Sequence, residues 1–516
     1  MIVIRLNRPE FEYDIHSLVK AFYPKQDVAV TAEDKSYEEP AIWEMQLAYR
    51  SDSIRIVWWE NEYAQAAECK EPRQSGQRES VGRRELPECT FFVDFSDRAA
   101  AKNCLKQHLY EMLAAYTNVT LPWGTLTGIR PTKIPMKLLE EGMEERAIAS
   151  YMKETYFASD EKIELSIDIA RRERRLLPRL DCKNGYSLYI GIPFCPTTCL
   201  YCSFTSYPLS AWTKRVDAYL DALEHELDYV AAKFAGKHLN TIYIGGGTPT
   251  TLKPYQLDRL IRKIKCSFDL SDCLEFTVEA GRPDSITREK LLVLRRHGIS
   301  RISINPQTMK DETLRLIGRH HTVEQTRGSF LLARELGFDN INMDLILGLP
   351  DESMDDVRHT MEEISSLKPD NITVHSLALK RAARLNMFKE DYKDYQMINT
   401  QEHMELVASY AKELGLYPYY LYRQKSMAGN LENVGYAAPG KAGIYNILIM
   451  EEKQTIMALG AGATTKFVVA HETGADGAYP VRIERVENVK DVENYLKRVD
   501  EMIERKRKKM EEISWH

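Results

Sequence analysis

SLYIGIPFCPTTCLYCSF, residues Ser187 to Phe204, runs from an apolar segment directly into three cysteines. Its first part, Leu188–Ile192, has the length and content of a buried strand. Pro193 and Pro196 then hold the chain in a loop, because neither can continue regular hydrogen bonding. The strand-like texture returns at Thr241–Ile244, Leu274–Val278, Ser300–Ile304, Ile341–Leu347 and Ile372–Leu377. Amphipathic stretches fill the intervals: Val216–Phe234, Pro254–Ile264, Arg288–His297, Val323–Leu336 and Asp355–Leu367. Strands alternating with helices predict βαβ units and a parallel sheet. Six such units predict an α/β chain built on a partial (β/α)6 TIM-like barrel. In such barrels chemistry sits at the C-terminal ends of the strands, and the cysteines follow the first of them.

Outward from this core the chain divides. Residues 1–120 read as a small N-terminal α/β domain, with strands at Ile2–Leu6, Glu44–Tyr49, Ile54–Trp59 and Thr90–Phe95 and a helix from Asp97 to Tyr116. The charged segment Lys70–Glu88 reads as an exposed loop. Residues 121–182 read as a helical connection, 183–395 as the barrel, and 396–516 as a mixed C-terminal domain expected to cover a substrate. The tail KRVDEMIERKRKKMEEI reads as a charged helix with a solvated face. At 516 residues, 44% hydrophobic and 28% charged, the composition is that of a globular protein, not a disordered or fibrous one. A net charge of −6 argues against sequence-independent nucleic-acid binding, which needs concentrated positive charge. No run reaches the roughly 18 apolar residues of a membrane span. Arg5, Arg8 and Glu10 interrupt the N-terminal apolar run, which is not a signal peptide. The expected location is cytoplasmic.

Cys195, Cys199 and Cys202 form a C-x3-C-x2-C array, so three thiolates can converge on one metal centre. Structural zinc normally takes four ligands in C-x2-C pairs, and the nearest downstream histidine, His225, falls inside a predicted helix. A four-iron cluster also takes thiolates, usually four; three would leave one iron open to a small molecule. After the second strand, Gly245, Gly246 and Gly247 precede Thr248 and Pro249. A glycine triplet lets a ligand approach the backbone closely, although such turns are common after strands.

The array, with Tyr201 before its last cysteine, resembles the radical S-adenosylmethionine (SAM) superfamily signature. That resemblance implies a [4Fe–4S] cluster on Cys195, Cys199 and Cys202, with SAM chelating the fourth iron. Together YIGIPFC, GGGTP, FTVEAGRPDSIT, RISINPQT, IGRHHT and MDLILGLP resemble the oxygen-independent coproporphyrinogen III oxidase family. GIRPTK, PYYLYRQK and GNLENVGYAAPG extend the likeness over nearly the whole chain, toward the family's HemZ-type coproporphyrinogen dehydrogenases. By motif, the resemblance assigns SAM contacts to Tyr189, Tyr201, Gly246, Gly247, Thr248, Glu279, Gln307, Arg319, Asp344, Ala378 and Thr464. No further catalytic residue is assigned.

The implied activity is anaerobic oxidative decarboxylation of coproporphyrinogen III to protoporphyrinogen IX by 5′-deoxyadenosyl radicals, in porphyrin and haem biosynthesis. The implied electron donor is a flavodoxin or ferredoxin. The substrate carries four carboxylates, and Lys380, Arg381, Arg384, Arg423 and Lys425 are cations suited to them. The sequence departs from the family pattern at one position: Phe204 stands where well-characterised oxidases have a fourth cysteine. Haem-binding chaperones of the same family also carry phenylalanine there, and a chaperone without oxidase activity is the alternative. Their HN-x-x-YW-like segment is missing; GIYNILI is the nearest text.

Overall fold

The structure, a computed structural model, describes residues 1–32, 37, 41–61, 83–378, 383–387, 392, 394–424, 431–470 and 481–513. They form two compact units, Met1–Ile167 and Asp168–His516.

In the first unit a mixed sheet runs β2 (Val28–Thr31), β1 (Ile2–Leu6), β3 (Trp43–Tyr49), β4 (Ser53–Asn61) and β5 (Arg83–Glu85), with β6 (Cys89–Phe92) also on β4. β1 is parallel to β2 and β3; the remaining pairs are antiparallel. The helix Arg98–Thr117 is capped by Asp97, which accepts from the amides of Ala99 and Ala100. A further helix, Glu12–Phe22, buries Ile15, Leu18, Val19 and Phe22, at helical spacing. Both helices contribute to a core with Trp43, Met45, Ile54 and Trp58. The loop expected over Lys70–Glu88 lies outside the described residues as far as 82. Its end, Arg83–Glu85, is not loop but the short strand β5, whose backbone pairs with Trp59–Asn61.

The second unit is built on one sheet of eleven strands. At its centre β7 (Gly185–Ile192), β10 (His238–Gly246), β11 (Glu275–Gly281), β12 (Arg301–Ile304), β13 (Ile341–Leu347) and β14 (Asn371–Ser376) are neighbours in chain order and all parallel. β8 (Phe194–Cys195) and β9 (Tyr207–Pro208) form a small ladder around the cysteine loop. The chain after the barrel extends both edges of the main sheet. Beyond β14 lie β16 (Asn433–Ala437) and β15 (Tyr417–Tyr422), antiparallel. Beside β7 lies β17 (Thr455–Leu459), a seventh parallel strand, followed by β18 (Thr464–Ala470) and β19 (Val481–Glu487).

Register makes the two faces of this sheet chemically different. Side-by-side partners in parallel strands share a face, and one face aligns Ser187 and Tyr189 with Thr241 and Tyr243, then Glu275, Thr277 and Glu279, then Arg301 and Ser303. The row continues through Asn342 and Asp344 to Asn371, Thr373 and His375. The opposite face carries Leu188, Ile190, Ile242, Ile244, Val278, Ile302, Ile304, Met343, Ile372 and Val374, all fully buried. Burying each such side chain stabilises the fold by roughly 1.5–3 kcal/mol. The polar face is buried along Ser187, Thr241, Thr277, Asn342 and Thr373, which must satisfy one another, and is half-buried at Tyr189, Tyr243, Glu279, Asp344 and His375. Ser187 and Thr241 share a hydrogen bond of 2.7 Å, Gln454 donates to Ser187 at 2.7 Å, and Thr373 donates to Asn342 at 2.9 Å.

The C-terminal helix, Val499–Glu512, is only partly the solvated element expected of it. Lys506 is completely buried and pairs at 2.6 Å with Glu226, equally buried, on the helix Val216–Lys233. Glu226 also accepts from Tyr495 (2.7 Å), Asn488 (2.8 Å) and the amide of Gly460 (2.9 Å). The network reaches the C-terminal end of β7 through its neighbour Tyr219, which donates to the Gly191 carbonyl and accepts from the Ala461 amide. Removing one partner of a buried ion pair typically costs about 3–5 kcal/mol, because the other charge is left uncompensated. Lys506→Met should therefore lower the unfolding free energy by that amount in chemical denaturation. Adding Glu226→Gln should recover much of the loss; an unaffected single variant would contradict the network's role.

Candidate functional site

The cysteine loop leaves β7 at its C-terminal end and is pinned at several points. Tyr207 N–H donates to Pro193 O (2.8 Å), Leu200 N–H to Ile317 O (3.0 Å) and Leu385 N–H to Leu200 O (3.0 Å). The glycine turn after β10 lies directly beneath it: Gly247 N–H donates to Ile192 O (2.8 Å) and Thr248 N–H to Phe194 O (2.7 Å). Thr248 Oγ1 sits 3.6 Å from Cys195 Sγ. Gly246 has φ +105°, which a side chain would resist. A Cβ at Gly247 would lie 2.6 Å from Phe194 O and 3.0 Å from Cys195 Sγ. The turn is glycine because the thiol loop rests on its backbone.

Burial pushes the Cys195 thiol up to about 11; the Thr248 hydroxyl offsets this, and Cys199 and Cys202 add to it. Such a thiol binds metal only when positive charge replaces its proton. Among the described residues, no three His, Cys, Asp or Glu side chains converge as a single ion would require. An iron–sulfur cube holds its thiolates at separate corners and needs no such point.

Tyr189, Tyr243 and Tyr445 stack inside the barrel, the last two with centroids 4.5 Å apart. Tyr445 comes from the helix Ile444–Glu451 in GIYNILI. Tyr243 Oη donates to Glu279, which also accepts from the Gly246 amide. Burial lifts the Glu279 carboxyl to about 7; the Tyr243 hydroxyl opposes this, the Asp344 charge adds to it, and Arg301 opposes it. Burial acts on Asp344 as well, yet His375, Asn342 and Arg301 hold that carboxyl below its ordinary value. Gln307 adopts φ +73°, a strained conformation for a residue with a side chain, held where its amide donates to Asp344 O and its carbonyl accepts from Ile346 N–H. Arg319 is buried and donates to Asn305 O; Tyr201 and Cys199 raise its pKa against the effect of burial. Ser303 Oγ, Asn305 Oδ1 and Arg319 Nε are buried without a hydrogen-bond partner among the described residues. Such atoms are costly unless a ligand meets them.

Of the residues singled out in the sequence, Tyr189, Gly246, Glu279 and Asp344 lie on β7, β10, β11 and β13, Gly247, Thr248 and Gln307 lie in the turns after β10 and β12, and Tyr201 sits beside Arg319. Ala378 follows β14 by two residues, bordering residues outside the described set. Thr464 opens β18, two residues after Gly462, which approaches Thr205 of the cysteine loop. Of the cations considered for substrate carboxylates, Lys380, Arg381 and Lys425 lie outside the described residues. Arg384 is exposed; Arg423 is buried, and burial lowers its pKa to about 10, with Glu432 opposing. Arg282, Arg301, Tyr243 and Tyr445 belong to the site and carry no sequence assignment. Alternation of polar residues along the strands was the signal for Arg301 and Tyr243.

A thiol loop after the first strand of this parallel (β/α)6 partial barrel, with the Radical SAM superfamily model matching residues 189–364, defines a radical SAM protein. Proteins of this class use a [4Fe–4S] cluster and SAM, and the three thiols of one loop, the glycine cradle and the orphaned polar atoms fit both. The HemZ oxygen-independent coproporphyrinogen-III oxidase-like protein of Bacillus subtilis is 39% identical over 99% of this chain and 96% of its own length. The chain belongs to this oxygen-independent coproporphyrinogen III oxidase-like family. The heme chaperone HemW of Bacillus subtilis is 42% identical over 38% of this chain and 51% of its own length. The oxygen-independent coproporphyrinogen III oxidase of Escherichia coli is 35% identical over 37% and 42%, so the chain matches about half or less of these two proteins. No helix among the described residues is long and apolar enough to cross a membrane.

Gly247→Ala should reduce iron bound after anaerobic reconstitution severalfold. Gly328→Ala, whose added Cβ meets nothing within 4 Å, should leave it unchanged. Equal iron in both variants would show that the turn does not support the loop.

Proposed function

We propose that this protein is an anaerobic radical enzyme that decarboxylates two propionates of coproporphyrinogen III to vinyl groups, giving protoporphyrinogen IX. Cys195, Cys199 and Cys202 hold the cluster, and Tyr189, Gly246, Gly247, Thr248, Glu279, Gln307, Arg319 and Asp344 hold SAM, with Tyr201, Ala378 and Thr464 at its margins. The observation that carries this reading is the row of polar side chains Tyr189, Tyr243, Glu279, Ser303 and Asp344 across neighbouring strands, with Ser303 Oγ, Asn305 Oδ1 and Arg319 Nε left unsatisfied beside the thiol loop. When bound, the cluster and SAM supply a 5′-deoxyadenosyl radical by one-electron cleavage of SAM. The chain's part is to orient and to keep water out. Glu279 and Asp344 offer acceptors to a cationic ligand, Gln307 is fixed by its backbone in the strained turn, and the tyrosine stack lies against Glu279. Each propionate gives up a hydrogen from its β-carbon, one electron to an acceptor, and CO2. A flavodoxin or ferredoxin suits the role of reductant, in a cytoplasmic setting.

A second reading, a haem-binding chaperone, is favoured by one feature: Phe204 occupies the fourth-cysteine position and is 70% exposed on the cluster loop. Anaerobic incubation with coproporphyrinogen III, SAM and dithionite separates the two. The enzyme should yield a tricarboxylate intermediate and protoporphyrinogen IX, with about one deoxyadenosine per propionate converted. Stoichiometric haem binding without those products would decide for the chaperone.

The Glu279 carboxyl gives a pH test. Its pKa of about 7 lies above the ordinary value, so it carries a proton at pH 6 and is a carboxylate at pH 8. SAM, cationic at sulfur, should bind roughly tenfold more tightly at pH 8 than at pH 6. Glu279→Gln should weaken binding at pH 8 by about an order of magnitude and flatten the profile. An unchanged profile in that variant, measured by calorimetry, would remove Glu279 from the SAM site.

A further inference from the structure

Arg282 follows β11 and is almost wholly buried beneath the cysteine loop. Every edge of its guanidinium is engaged. Nε and Nη2 donate to the two oxygens of Asp284 at 3.0 and 2.7 Å. Nη1 donates to Thr197 Oγ1 at 2.7 Å and to Thr197 O at 3.2 Å, and lies 3.9 Å from Cys199 Sγ. Thr197 Oγ1 in turn donates to Gly318 O at 2.9 Å, next to Arg319. The Cys199 sulfur is therefore approached by two buried guanidiniums, Arg282 and Arg319, whereas Cys195 has the neutral Thr248 hydroxyl beside it and feels Arg282 only through its charge. Arginine keeps its charge in such surroundings and has the planar fork that this geometry uses.

We infer that Arg282 is a positioning residue that tunes the cluster: it fixes the Thr197–Cys199 segment and, through its charge and an N–H directed at Cys199 Sγ, raises the cluster's reduction potential. This rests on the reading that Cys195, Cys199 and Cys202 hold the cluster. Reduction adds one negative charge to the cluster, and hydrogen bonds to its sulfurs and nearby net charge set its potential. A cation held in a dry site stabilises the reduced form more than the oxidised one. Asp284 orients the guanidinium and partly neutralises it. The two residues should therefore act with opposite sign, which a purely structural role does not require.

The test is spectroelectrochemistry of the reconstituted full-length protein, with iron counted on each sample. Arg282→Gln should make the cluster about tenfold harder to reduce at a fixed poise, a fall of about 59 mV for one electron. Arg282→Lys should lie between it and the wild type. Asp284→Asn should shift the potential upward, since it leaves the guanidinium charge less screened. Potentials that match the wild type in iron-replete Arg282→Gln and Asp284→Asn would overturn the inference. If Arg282→Gln fails to take up iron, Asp284→Asn decides: a rise supports the tuning role and no rise overturns it. A wild-type protein that binds no iron, or three cysteine-to-alanine variants that each retain it, would overturn the cluster site itself.

Discussion

Three carboxylates, the buried Glu275 and the half-buried Glu279 and Asp344, face the buried guanidinium of Arg301 inside the barrel. Uncompensated charge in a dry interior costs several kcal/mol per ion, so this balance constrains everything built around it. Arg301 opposes the rise in pKa that burial imposes on Glu275 and Glu279 and helps hold Asp344 ionised. Glu275 is further anchored by Thr277 and by the Ile444 amide, which starts the helix carrying Tyr445. The arrangement leaves Glu279 titrating close to physiological pH while Asp344 is held below its ordinary value. A cationic ligand entering at the strand ends therefore meets one fixed carboxylate and one that ionises to receive it.

The same economy explains why the C-terminal chain is woven into the sheet. β17 covers the edge of β7, and the Gly460–Ala463 turn that follows it is held by Glu226 and Tyr219 against Gly191, four residues before the first cysteine. On the other edge β16 covers β14, while the helix Ile444–Glu451 supplies the third tyrosine of the stack. The thiol loop is thus braced by the glycine turn, by Arg282 and by the segment around Ile317, all of them elements whose own positions are fixed by the core. Rigid support of this kind is what a radical reaction needs, since a reactive group displaced from its target reacts elsewhere.

Much of this was legible in the sequence. The six parallel strands follow from their apolar residues and from the helices between them, and the thiol spacing marks the end of the first. The polar face was less visible, because Ser187, Thr241, Thr277, Arg301, Asn342 and Thr373 alternate with apolar residues in segments short enough to read as apolar runs. Register, which decides that these residues share a face, is not written in any one strand. Lys506 illustrates the same limit: within a charged helix nothing distinguishes the lysine that meets Glu226 from its solvated neighbours. The helix Glu12–Phe22 was not read from the sequence, although Ile15, Leu18, Val19 and Phe22 fall at helical spacing. Arg282 sits inside a motif that marks the family, and only the folded loop shows which sulfur it faces.

The central claim is that a radical formed at these strand ends acts on a propionate β-carbon. Coproporphyrinogen III deuterated at those carbons, incubated anaerobically with the protein, SAM and dithionite, tests it by mass spectrometry of the 5′-deoxyadenosine released. The account predicts that deoxyadenosine gains deuterium as vinyl groups form; deoxyadenosine that remains unlabelled while SAM is consumed would contradict it.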